Sequence, residues 1–147
     1  MIIPEIKNAG YFFIVPLAAV FSLILNKKIT NSSDKITTED AFIFGIFTGL
    51  FTALFMTSFD LIITFFVKTN ELVESLPYIE SMFRKLNLGP VTEEFFTQTK
   101  KMAKEIRQTG FSFFYLFMIL FSNLVTCIIF GMLGGLIGRQ YLNKNSS

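Results

Sequence analysis

The chain contains no histidine and a single cysteine, Cys127. Without histidine, most transition-metal sites and every serine–histidine or cysteine–histidine nucleophile pair are excluded. One cysteine excludes a disulfide within the chain, and its place in an apolar run reads as a compact packing residue. Equally missing are a phosphate-cradling glycine loop, a metal-ligand cluster and a nucleophile elbow. No cofactor, no metal and no enzymatic activity are expected. Charge is also sparse: Asp, Glu, Lys and Arg make up 16% of the 147 residues, and the net charge is +2. The signs are interleaved in the polar segments, so no basic face exists to neutralise nucleic-acid phosphates.

What the chain has in abundance is apolar surface. Hydrophobic residues account for 52%, phenylalanine alone occurs 20 times, and the mean hydropathy is +0.55. A single small core cannot hide that much from water. Lipid is the natural solvent, and a helical crossing of a hydrocarbon layer about 30 Å thick needs about 20 apolar residues.

Three runs meet this need. The first, 9–25, carries Pro16 and is followed by a polar loop without a small-residue cleavage site, which argues against a signal peptide. The second, 41–67, follows "TTED", where Thr37 or Thr38 suits a helix cap and Glu39 and Asp40 suit the first turn. The third, 110–138, is closed by Arg139, a cation suited to a helix C-terminus. Between the last two, residues 68–109 carry seven basic and six acidic residues. Leu72, Val73, Leu76, Ile79, Met82, Phe83 and Leu86 recur there at helical spacing, with Pro77 at a start or bend. "NLGP" breaks the pattern, and a second amphipathic helix follows, with Thr92 as its cap and Phe95, Phe96, Met102, Ala103 and Ile106 on one side. The expected fold is therefore all-α and membrane-integral, one domain over 1–147. It has three transmembrane helices and an amphipathic helical hairpin insert between the second and third. The insert either caps the bundle or lies on the lipid surface.

Small residues give the packing expectation. Ala41, Gly45, Gly49, Ala53 and Thr57 recur every four residues in the second run, as do Asn123, Cys127, Gly131, Gly135 and Arg139 in the third. Gly134 and Gly138 form a further pair. Such rows let backbones approach closely in lipid. An antiparallel register sets Ala41 beside Arg139, Gly45 beside Gly135, Gly49 beside Gly131 and Ala53 beside Cys127; self-association through one row is the alternative. Asp60 is the one acid late in the second run, and 19 residues beyond Ala41 it falls near the far edge of the hydrocarbon. It is read as a border residue where the helix leaves the lipid and continues as a stalk. The alternative is a polar site formed with Asn123, since an acid within a span is a functional candidate.

The order "YFFIVPLAAVFSLILNKKI", "EDAFIFGIFTG", a polar helical insert and a final "FGMLGGLIGR" resembles a family of small uncharacterised bacterial membrane proteins. Counting Lys and Arg does not by itself choose an orientation. The resemblance implies a multi-pass protein of the cytoplasmic (inner) membrane, with the first loop and C-terminus cytoplasmic and 68–109 outside. It implies no reaction. The expected role is that of an accessory or structural subunit, or a small homo-oligomer. Its partners are membrane lipids and other membrane subunits or copies of itself. A subunit of an oligomeric channel or transporter using Asp60 and Asn123 is the rival reading.

Overall fold

The computed structural model describes residues 4–30, 34–86 and 90–144, with side chains from residue 11 onward except at positions 86, 90 and 91. Among these residues the chain is helical, in five elements: α1 (Pro4–Ile29), α2 (Thr38–Val67), α3 (Glu71–Leu86), α4 (Pro90–Thr109) and α5 (Phe113–Lys144). Three stretches are long and apolar enough to cross a membrane, Tyr11–Ile29, Thr38–Val67 and Phe113–Lys144. Their outward faces carry large apolar side chains in the open, among them Phe12, Phe13, Phe21, Phe51, Phe55, Phe117 and Phe121. Exposed apolar surface on this scale marks contact with lipid or with other protein rather than with water.

Local chemistry explains the helix ends. The Thr37 hydroxyl accepts the Asp40 backbone N–H at 3.0 Å and donates to the Asp40 carboxylate at 2.6 Å, while the Thr37 N–H points back to that carboxylate at 3.3 Å. This is a reciprocal cap, and it places the start of α2 at Thr38. Val67 ends α2 because Lys68 turns into the left-handed region at φ 57°, and Asn70 then caps α3 by accepting the Val73 N–H at 2.9 Å. Pro77 lies inside α3. Of the "NLGP" break at 87–90, residues 87–89 lie outside the described residues, and α4 opens on its proline, Pro90. Proline is pre-organised for the first helical position and loses no hydrogen bond there, so Thr92 sits inside the first turn and is not the cap. Gly110 closes α4 at φ 80°, with its N–H on the Ile106 carbonyl at 2.8 Å.

One further expectation is corrected. α5 does not end at Gly138 under an Arg139 cap; it runs on to Lys144, because Gly138 serves side-on packing and "QYLNK" continues the helix. α2 continues for seven residues beyond Asp60. Ile62, Ile63, Phe65, Phe66 and Val67 follow it, all exposed and apolar, and the helix stops at Lys68.

The chain divides into two compact units, 1–56 with 121–147, and 57–120. In the first, α1 presents the buried row Tyr11, Val15, Ala19 and Leu23. Tyr11 and Val15 join Ala53 and Cys127 in one buried cluster, flanked by Met56, Leu124 and Phe130. In the second, Val73 and Leu76 of α3, Met102, Ala103 and Ile106 of α4, and Tyr115 of α5 form a core, with Leu61, Met118 and Ile119 packed against it. The apolar sides of α3 and α4 thus face one another and the adjoining ends of α2 and α5. Phe83 meets Phe96 edge-on, with centroids 5.8 Å apart.

Candidate functional site

Two kinds of arrangement stand out from ordinary packing: glycines pressed against foreign backbone, and polar side chains held inside apolar helices. A methyl group added at Gly45 would lie 2.5 Å from the Gly131 carbonyl oxygen, and one at Gly49 would strike the Cys127 carbonyl and come within 2.7 Å of Ile128 Cα. From the other side, Gly131 faces the Gly45 carbonyl and Gly135 faces that of Ala41. The helices touch along backbone, and only glycine leaves that room. The observed register differs from the expected one by a turn of α5: Gly45 sits nearest Gly131 rather than Gly135, and Gly49 nearest Cys127 rather than Gly131. Ala41 meets Gly135, not Arg139. Both rows repeat every four residues, so a one-turn slide maps small residue onto small residue, and spacing alone cannot choose between the two. Gly134 and Gly138 have a separate task. Gly134 abuts the Pro16 backbone, and a methyl group added at Gly138 would lie 3.1 Å from Val20 Cα and from Leu23 Cδ1.

Asn123 is 2% exposed. Its amide oxygen accepts the Tyr11 hydroxyl at 2.5 Å, a contact between α5 and α1 over 112 positions of sequence. Nothing in the spacing of Tyr11 announced it. At the other end of this unit, the Ile36 peptide is held on both sides. Its N–H donates to Asn143 Oδ1 at 2.8 Å, and its carbonyl accepts Asn143 Nδ2 at 2.9 Å and Arg139 Nε at 3.1 Å. Arg139 therefore acts sideways on a loop. Ser22 and Thr48 hydroxyls add a 3.2 Å contact between α1 and α2.

Asp60 belongs to the second unit and Asn123 to the first. Asp60 is partly buried and near enough to the Tyr115 hydroxyl to act on it electrostatically. That hydroxyl also takes the Thr64 hydroxyl at 3.4 Å, and Thr64 and Tyr115 are both buried. On the polar helices, Glu80 accepts Lys100 Nζ at 2.7 Å and Arg84 at 2.9 Å, and Arg84 reaches across to Glu93 at 3.0 Å. Hydrogen bonding to Lys100, then to Arg84, holds the Glu80 carboxyl below the usual carboxylate value, and Glu80 with Glu93 holds Arg84 above its own. Among the described residues no group of three or more His, Cys, Asp or Glu is placed to hold a metal ion.

Residues 5–140 match the family described as "protein of unknown function (DUF4199)". The chain belongs to that family. The match spans α1, α2, α3, α4 and most of α5, so the glycine contacts, the Tyr11–Asn123 pair, Asp60 and Arg139 all lie within the DUF4199 region, while Asn143 lies beyond it. No curated protein and no solved structure matches this DUF4199 chain.

Proposed function

We propose that this DUF4199 chain is a non-enzymatic integral protein of the bacterial cytoplasmic membrane that works as an accessory or structural subunit, in a larger assembly or as a small homo-oligomer. One observation carries the reading. The glycine rows of α2 and α5 are engaged with each other and Gly134 and Gly138 with α1, while the phenylalanine-rich faces of the same helices remain open. Small residues are thus occupied in holding the chain together, and the open faces are the ones left for lipid or for another membrane helix. The first loop and the C-terminus are assigned to the cytoplasm. α3 and α4 form the extracytoplasmic hairpin insert.

Two measurements test this. Native mass spectrometry of the gently extracted protein should find it bound to a partner or to itself; a strictly monomeric chain under all mild conditions removes the subunit role. A cysteine placed at Lys85 in a Cys127→Ser background should react with an impermeant maleimide from outside intact cells, and labelling only after lysis would reverse the orientation.

A channel or transporter subunit is the second reading, and the position of Asp60 favours it. Seven residues of apolar helix follow this acid before α2 ends at Val67, about 10 Å at helical rise, and an ionisable group inside a span is a functional candidate. Ion or solute flux from liposomes that is lost in Asp60→Asn, with assembly intact, would replace the first reading by this one.

A further inference from the structure

We infer that the groove between α3 and α4 binds the headgroup phosphate of an anionic phospholipid through Lys104 and Arg107. The groove has a volume of about 450 Å³ and is lined by Leu76, Pro77 and Glu80 from α3 and by Lys100, Lys104 and Arg107 from α4. Three cations therefore face one carboxylate. Glu80 is already committed to Lys100 at 2.7 Å and to Arg84 at 2.9 Å. Lys104 and Arg107 form no ion pair among the described residues, and both are exposed. Three positions apart on one helix, their Cβ atoms lie about 5–6 Å from each other, close enough for both side chains to reach one phosphate. Arg adds a planar two-pronged donor and Lys a point charge.

The depth of the groove selects a lipid. Gly110 rests on the Phe65 backbone, which ties the end of α4 to the end of α2. Phe65, Phe66, Val67 and Phe113 are exposed around this point and mark the apolar edge. Arg107 and Lys104 precede Gly110 by three and six residues, about 4.5 and 9 Å along α4. A bilayer of about 40–45 Å with a core of about 30 Å leaves a headgroup layer of roughly 5–8 Å on each side. Any tilt of α4 brings the two cations closer to the apolar edge. They stand where lipid phosphates stand, and juxtamembrane cations attract anionic headgroups.

The inference rests on the bilayer reading, and the two fail separately. Resistance of the chain to extraction by alkaline carbonate tests the bilayer reading. The groove is tested by native mass spectrometry of the full chain in detergent, titrated with phosphatidylglycerol or phosphatidylcholine. Wild type should retain phosphatidylglycerol about tenfold or more over phosphatidylcholine. K104Q/R107Q should lose that preference, whereas K104R/R107K and the charge-matched K28Q/K35Q should keep it. Circular dichroism confirms that each variant is helical. Equal retention of the two lipids by wild type, or an equal loss in K28Q/K35Q, overturns the site. Displacement of phosphatidylglycerol by millimolar inorganic phosphate would assign the groove to a free anion and overturn the lipid.

Discussion

The two units of this chain are held by different physics. In the first, the contacts that matter are backbone on backbone: Gly45 on Gly131, Gly135 on Ala41, Gly134 on Pro16. In the second, large side chains interlock around Ile106 and Met102, and the outside is sewn with ion pairs. The two modes of packing suit different surroundings. Among lipid tails, burying a leucine against another helix gains little over leaving it in hydrocarbon, so close approach and dispersion decide. Where water is the alternative, apolar area itself is the driving force. α2 and α5 contribute to both units within a single helix, and their residue usage changes accordingly, from glycine rows to Leu61, Tyr115 and Met118.

That contrast can be broken most severely at Gly135. In Gly135→Leu the new side chain has only the Ala41 carbonyl to occupy, so α2 and α5 must separate; a loss of about 3 kcal/mol is expected. It would be read as a collapse of the detergent-resistant folded fraction. Next is Ile106→Ala, which removes a fully buried side chain from the second core and should cost about 2 kcal/mol, at the lower end for an isoleucine cut back to alanine. Hydrogen exchange should show the loss in α3 and α4 with α1 left protected. Were α1 to lose protection equally, the units would not be separable. A smaller effect, about 1 kcal/mol, is expected from Tyr11→Phe, which leaves the Asn123 oxygen without the Tyr11 hydroxyl; thermal unfolding in detergent measures it. The least is expected from acid. Glu80 has a lowered value in the folded chain, so its contribution is present above the ordinary carboxylate value of 4.5. It is lost as the pH falls through the lower, folded value. Exchange protection of α3 and α4 should drop slightly in that window, because an exposed ion pair contributes little, and Glu80→Gln should abolish the change.

Much of this architecture was legible in the residues. The apolar runs, the Thr37–Asp40 cap and the two amphipathic patterns are local features, and local features survive translation into helices. The register of the glycine rows was not legible, since a four-residue repeat looks the same after sliding one turn. The Tyr11–Asn123 contact joins positions with no local relation. Arg139 looked like a helix terminus because it follows the last glycine; the glycine at 138 answers instead to α1. The end of α2 was no easier to read. "LIITFFV" is apolar but for Thr64, and only the left-handed turn at Lys68, which no glycine or asparagine at that position advertises, ends the helix.

The clamp on Ile36 has a consequence for how this sequence can drift. Asn143 and Arg139 hold the peptide group of residue 36 and not its side chain, and every amino acid except proline offers the same N–H and carbonyl. Substitution at position 36 should therefore disturb this clamp little. Substitution at 139 or 143 should loosen it, and so should Ile36→Pro, which removes the N–H that Asn143 Oδ1 accepts.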